Sequence, residues 1–190
     1  MMKKDRLEPW KILKSQEIFV AEPWIKLSTQ QILLPDGRVV DNYYQIMLPE
    51  FTMIYAQTAD GRVIIERQYK HGIGRVSLML PAGLVNDGEA PLAAARRELL
   101  EETGYDSNNW QSMGHFVPNT NYGCGKAHLF LARDAEQVAT PDSGDLEEME
   151  IILMTPEDVT DAIFRGEIVS LSTVATIALA TNPLFTPVSK

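Results

Sequence analysis

Hydrophobic and polar residues alternate along the first third of the chain. Ile25, Leu27 and Thr29 interleave with Lys26, Ser28 and Gln30, the period of two that marks a half-buried strand. Pro35-Asp36-Gly37 is a strong turn, and an extended pattern resumes from Arg38 to Leu48 around Val39, Val40, Tyr43 and Tyr44. Pro49-Glu50 marks a boundary. Beyond it, Thr52 to Gln57, an Asp60-Gly61 turn and Val63 to Tyr69 predict a second hairpin. From Pro91 the period changes. Leu92, Ala95, Leu99 and Thr103 fall at helical spacing, with Pro91 suited to the first helical position and Gly104 to the residue past the end. Strand patterns return at Gln111 to Phe116 and Ala127 to Ala132, separated by a Gly/Asn-rich loop. An acidic loop from Asp142 to Glu148 leads to a further strand at Glu150 to Met154. Thr155 and Asp158 form a helix N-cap for a segment reaching about Arg165, and a last helix is predicted near Ser170 to Thr181. Strands with helices between them predict an α/β (α+β) sandwich with a mixed sheet, preceded by a small antiparallel β segment.

Composition narrows the function. The 190 residues suit one domain with a small appendage, long enough to bury roughly 70% of the surface of the unfolded chain. With 17 basic and 26 acidic residues the net charge is −9, which argues against a nucleic-acid partner because such partners need a basic face. A phosphorylated small molecule stays open, since a cation can bridge acid to phosphate. A single cysteine, Cys124, allows no intramolecular disulfide, and no Cys/His zinc pattern is present. No apolar segment follows the basic start, and the uncharged run Ile168 to Ser189 is broken by seven Ser/Thr, Asn182, Pro183 and Pro187. The expectation is a cytoplasmic protein without a membrane partner.

The informative chemistry lies on the helix that begins at Pro91. With Glu98 at zero on a helical wheel, Glu101 falls near −60° and Glu102 near +40°, at about 100° per residue. Ala95, Leu99 and Leu92 form an adjoining stripe that can pack on a sheet. Three carboxylates on one face near a helix C-terminus repel one another and oppose the helix dipole, each effect amounting to a few tenths of a kcal/mol or more. A divalent cation reverses that sign. Mg²⁺ takes oxygen ligands and typically joins one or two carboxylates to substrate phosphates.

The residues from Gly83 to Tyr105 give this cluster a context. Gly83, five residues, Glu89, seven residues, then Arg97-Glu98-Leu99-any-Glu101-Glu102-any-Gly104-Tyr105 resembles the signature of the Nudix hydrolases. All seven fixed identities stand at their spacing; only Tyr105 departs from the stricter aliphatic form. The resemblance implies a loop–helix–loop within a Nudix-type α/β/α sandwich. It implies hydrolysis of a nucleoside diphosphate linked to another moiety, with Mg²⁺ or Mn²⁺. Glu98 and Glu102 would be the leading metal ligands, Glu101 a ligand or water-orienting group, and the Ala82 carbonyl part of the metal shell. Arg97 and Glu89 would brace the loop, while Gly83 and Gly104 permit backbone that a side chain would obstruct.

The surroundings of the signature resemble the ADP-ribose and nucleoside diphosphate sugar pyrophosphatases. About fifty β-rich residues (1–49) precede the hydrolase domain (50–190), as in that subgroup, where such a segment builds a homodimer. Arg67-Gln68-Tyr69-Lys70 followed by Leu80-Pro81-Ala82-Gly83 also fits, with Arg67 a candidate phosphate contact. A further acid on a loop after the signature is implied; Glu147 is the first candidate to close on metal or water, with Glu148 and Asp145 next. Three positions depart from the subgroup: Thr120 stands at the usual proline, Gly125 at a common loop acid, and Met79 where the strand before the signature often has Glu. His115, His128 and Cys124 receive no role. The expected reaction releases a nucleoside monophosphate and a sugar phosphate, with ADP-ribose the leading substrate. Another nucleotide (GDP-mannose, NADH, a nucleoside triphosphate or a dinucleoside polyphosphate) is the alternative, and a non-catalytic nucleotide-sensing module a further one.

Overall fold

The computed structural model describes residues 7–142, 144 and 148–185. Two compact units are present. The first holds residues 7–49 with Val117–Gly125. Its antiparallel sheet is ordered β1 (Lys11–Ala21), β2 (Ile25–Leu33), β3 (Val39–Met47). Irregularities between Ile12 and Lys14 and between Glu17 and Phe19 interrupt the β1 register, so its side chains do not keep a strict alternation. The 117–125 segment is tied to β3 by Tyr43 Oη and Gln45 Nε2, which donate to the Asn121 carbonyl at 3.2 and 3.3 Å.

The second unit carries an eight-stranded sheet. It comprises β4 (Phe51–Thr58), β5 (Val63–Lys70), β6 (Arg75–Met79), β7 (Ala82–Leu84), β8 (Tyr105–Asp106), β9 (Asn109–Phe116), β10 (Ala127–Gln137) and β11 (Met149–Met154). The central order is β11-β5-β4-β10-β8, with β6, β7 and β9 pairing to β5, β4 and β10. β4 and β10 run parallel while the other pairs are antiparallel, so the sheet is mixed. Among the described residues three helices cover it: α1 (Pro91–Thr103), α2 (Pro156–Phe164) and α3 (Leu171–Thr181).

Successive strand residues point to opposite faces, and both faces of the central strands are buried. On one face Ile54, Ala56 and Ile64 pack with Ala95 and Leu99 of α1. On the other, Met53, Tyr55, Val63 and Ile65 pack with Val159 and Ala162 of α2 and Ile177 of α3. The result is an α/β/α sandwich. The β4–β5 turn forms, yet the two strands share only the Gln57–Val63 pair before β4 turns to β7 and β10. Leu92, expected on the packing stripe, is exposed, and Ala94 is buried instead. Helical side chains lean toward the N-terminus, which carries a first-turn residue past the end of the contact. Among the described residues no helix is long and apolar enough to cross a membrane.

Candidate active site

The acidic helix is fixed at both ends by backbone chemistry. Pro91 opens α1, where its missing N–H costs nothing. Gly104 closes it in the left-handed region, φ 74°, its N–H donating to the Leu100 carbonyl. A Cβ on Gly104 would collide with the Ala139 carbonyl oxygen. That close approach lets Val138 and Ala139 N–H donate to the Gly104 carbonyl at 2.9 and 3.0 Å, and Asp142 N–H to that of Glu101 at 2.8 Å. The start of the acidic loop is thereby anchored on the last turn of α1.

Arg97 organises the other side. Its Nε and Nη2 donate to the two Glu89 oxygens, both at 3.0 Å, and Nη2 also to the Leu84 carbonyl at 3.0 Å. Nη1 donates to Glu98 Oε1 at 2.7 Å and Glu101 Oε2 at 3.1 Å. Glu89 in turn accepts the Asn86 N–H at 3.0 Å. The hydrogen bonds from Arg97 and then Asn86 hold the Glu89 carboxyl below its ordinary range, and those to Glu89 first raise the Arg97 guanidinium. One guanidinium thus binds the loop between β7 and α1 to two carboxylates of the helix.

Glu98 and Glu102 face inward. The Glu98 carboxylate lies against Gly83 of β7, and a Cβ there would overlap it. Glu102 is 7% exposed, and its Oε2 accepts the Ala82 N–H at 3.0 Å. Burial foremost, then the charge of Glu66 and a hydrogen bond with it, then the charge of Glu98, push the Glu102 carboxyl up to about 10; the Ala82 N–H acts the other way. Glu101 stays largely exposed. Opposite Gly83, across β4, stands Thr52, fully buried with a hydroxyl that finds no hydrogen-bond partner.

Glu66 was not singled out by sequence reasoning. It lies on β5, 1% exposed, with Oε2 accepting from Gln68 Nε2 at 3.1 Å. Its cross-strand neighbour on β6 is Met79. The signal was present: in Val63-Ile64-Ile65-Glu66 the acid shares the inward register of Ile64, which packs under α1. Arg67 shares the opposite register. It is exposed, paired with Glu150 of β11 at 2.9 Å, and is not brought to the carboxylate cluster. Glu148 is described and exposed. Glu147 and Asp145 lie outside the described residues. His128, 2.7 Å from Glu50 through Nε2, and Lys126 at 3.0 Å from the same carboxylate link β10 to the start of β4.

A family model for the NUDIX domain matches residues 49–172. The chain belongs to the Nudix hydrolase family. Among the relatives of this Nudix chain, the ADP-ribose pyrophosphatase of Bacillus subtilis (strain 168) is 28% identical over 125 residues, 65% of this chain and 68% of that protein. The ADP-ribose pyrophosphatase of Mycobacterium tuberculosis is 30% identical over 124 residues, 64% of this chain and 60% of that protein. The ADP-sugar pyrophosphatase of Mus musculus is 34% identical over 102 residues, 51% of this chain and 47% of that protein. The matched stretch thus spans less than two thirds of the last two. A crystal structure of an ADP compounds hydrolase superposes with a TM-score of 0.79 at 19% identity, covering 90% of this chain and 92% of the other, which shows the fold.

Nudix hydrolases generally use divalent cations, and the residues here suit one. The donors are hard oxygens, the cradle at Gly83 has no side chain, and the buried Glu102 carries the repulsion of Glu66 and Glu98. Among the described residues no three acidic, His or Cys side chains already stand at ligand spacing. Glu98 and Glu101 accept hydrogen bonds from Arg97, and Glu102 accepts the Ala82 N–H.

Proposed function

We propose that this Nudix hydrolase cleaves the diphosphate bridge of a nucleoside diphosphate sugar, with ADP-ribose as the leading substrate and Mg²⁺ or Mn²⁺ as cofactor. The observation that carries the reading is the placement of Glu98 and Glu102 side by side around Gly83, with Arg97 and Glu89 fixing the loop beneath them. Glu98, Glu102 and the Ala82 carbonyl would hold the cation. Once bound, a divalent cation neutralises phosphate charge and makes water a better nucleophile. The names of the bacterial and mouse relatives, ADP-ribose and ADP-sugar pyrophosphatases, support the substrate class.

In the proposed reaction the oxygen of water bonds to one phosphorus of the P–O–P bridge. The bridging oxygen leaves with the other phosphorus, giving a nucleoside monophosphate and a sugar phosphate. Glu101, exposed and hydrogen-bonded to Arg97 through Oε2, has room to orient that water and accept its proton. Glu148, and Glu147 outside the described residues, are the further candidates for that proton. Arg67 would have to exchange Glu150 for a phosphate to serve as a substrate contact.

The N-terminal sheet is proposed as a homodimer surface. Trp10, Ile12, Ile18, Phe19, Trp24 and Met47 of this unit are 48–64% exposed, more apolar area than a solvent-facing sheet ordinarily presents. Sedimentation equilibrium tests that part: a monomer at micromolar concentration would contradict it. The chemistry is tested by mass-spectrometric product analysis across ADP-ribose, GDP-mannose, UDP-glucose, NADH and diadenosine polyphosphates, with Glu102→Gln as control. AMP and ribose 5-phosphate from ADP-ribose, lowered about a hundredfold or more in the variant, is the expected result. Undiminished hydrolysis by a folded Glu102→Gln protein would refute the assignment.

A further inference from the structure

The chain contains three Asp-Gly steps: Asp36-Gly37, Asp60-Gly61 and Asp87-Gly88. Each has the makings of a cyclisation, because glycine carries no side chain to keep its amide nitrogen away from the preceding carboxyl. Two of the three are held. Gly37 N–H donates to the Leu34 carbonyl at 3.0 Å, and Gly61 N–H to the Thr58 carbonyl at 2.9 Å. The Asp36 carboxylate accepts Arg38 N–H at 3.1 Å and Arg38 Nε at 2.7 Å. That of Asp60 accepts the Thr58 hydroxyl and Arg62 Nε, the latter at 2.8 Å. The Arg38 backbone N–H foremost in one case, and the Thr58 hydroxyl foremost in the other, hold these carboxyls below their ordinary range, as the less reactive anion. Asp87-Gly88 differs. Both residues are exposed in the loop between β7 and α1, and among the described residues neither the Asp87 carboxyl nor the Gly88 N–H has a hydrogen-bond partner. The space around Gly88 is open.

We propose that Asp87-Gly88, inside the signature loop, is a modification site at which the folded protein forms a succinimide and then isoaspartate. The Gly88 amide nitrogen bonds to Asp87 Cγ, and one carboxyl oxygen leaves as water with the amide proton and the proton of the acid. Water then opens the ring. Addition at the Cγ carbonyl restores aspartate. Addition at the main-chain carbonyl breaks its bond to nitrogen and leaves Gly88 joined through Cγ. One water is released and one consumed, so the mass is unchanged. The product carries an extra backbone carbon inside a closed turn. Across that turn the Asn86 carbonyl accepts Glu89 N–H, and Asn86 N–H donates to Glu89 Oε2, both at 3.0 Å. Lengthening the turn draws Glu89 away from Asn86 and loosens its hold on Arg97, which also binds Glu98 and Glu101. Conversion therefore lowers hydrolysis, a consequence that alone rests on the reading of Glu98 and Glu102 as cation ligands.

The test is incubation of the full chain at neutral pH and physiological temperature, followed by peptide mapping with electron-transfer fragmentation, which distinguishes isoaspartate from aspartate at each position. Freeing an amide from one hydrogen bond costs about tenfold in rate, so isoaspartate is expected at Asp87 about tenfold or more faster than at Asp36 or Asp60. Equal rates at the three sites, or none at Asp87, overturn the proposal. Incubation in urea removes the hydrogen bonds and is expected to bring the three rates together. The same ratio in urea as in the folded protein also overturns it, since sequence rather than fold would then set the difference. Asp87→Glu, whose extra methylene would demand a slower six-membered ring, is expected to stay unconverted and to keep its activity on storage. Fragmentation reads the modification without reference to hydrolysis, so a failure of the substrate reading leaves it standing. Wild type that accumulates isoaspartate at residue 87 with undiminished turnover per molecule overturns the consequence drawn for Glu89 and Arg97, while the modification site itself is upheld.

Discussion

Gly83→Ala separates folding from chemistry at a single position. Gly83 sits in β7 without a left-handed φ, so the backbone accepts alanine. The new methyl would fall within the carboxyl group of Glu98, at the far end of a flexible side chain. That carboxyl must retreat by on the order of 1.5 Å to reach ordinary van der Waals contact. Retreat disrupts its 2.7 Å bond to Arg97 and removes it from the place beside Glu102. The fold should lose only about 1 kcal/mol, a fall of about 2–4 °C in Tm for a chain of this size. A reacting group misplaced by about 1 Å can cost about a hundredfold in rate. Steady-state kcat/KM on ADP-ribose with Mg²⁺, alongside thermal unfolding, is the assay. Activity within threefold of wild type would show that the position of Glu98 does not matter. A protein that fails to fold would show that Glu98 cannot move, and either result would refute the reasoning.

The other signature glycine should behave in the opposite way. Gly104→Ala combines φ 74° with a clash against the Ala139 backbone, so a stability loss of at least about 2 kcal/mol in urea unfolding is expected, and a smaller loss would contradict the packing. Arg97→Lys cannot reproduce the paired bonds to Glu89, and should cost about 1–2 kcal/mol and lower kcat more than it raises KM; an unchanged kcat counts against its role as organiser. Glu50 is held below the ordinary carboxylate range by the hydrogen bond from His128 first and Lys126 second. A depressed folded-state value means stability that is present above the unfolded-state range and is lost as pH falls through the folded value. The stability difference between wild type and Glu50→Gln, under about 1 kcal/mol for so exposed a pair, should therefore shrink on acidification below the carboxylate range, and a difference independent of pH in urea unfolding argues against it.

Local signals carried much of the fold. Pro91 and Gly104 bracket α1, and the Thr155 side chain accepts the Asp158 N–H at 3.1 Å to start α2, because caps and turn residues act within a few positions of the chain. What local signals could not carry is partner choice. Asp60-Gly61 marks the turn after β4, but nothing nearby says that β4 will leave β5 after one pair and lie parallel to β10. β1 went unnoticed because its irregular register breaks the period that would reveal it. The site divides in the same way. Glu98, Glu101 and Glu102 share a helix, so their common face follows from spacing; Glu66 reaches Glu102 only through the packing of β5 under α1. A buried acid in an apolar register was the available clue.

The central claim is that Glu98 and Glu102 grip a divalent cation against a diphosphate. Anomalous diffraction from a crystal soaked with Mn²⁺ and a methylene-bridged, non-hydrolysable ADP-ribose tests it most directly. The account predicts an anomalous peak about 2.1–2.2 Å from oxygens of both glutamates and from a phosphate oxygen of the analogue. Analogue bound with no peak at Glu98 and Glu102, or a peak held by other residues, would contradict it.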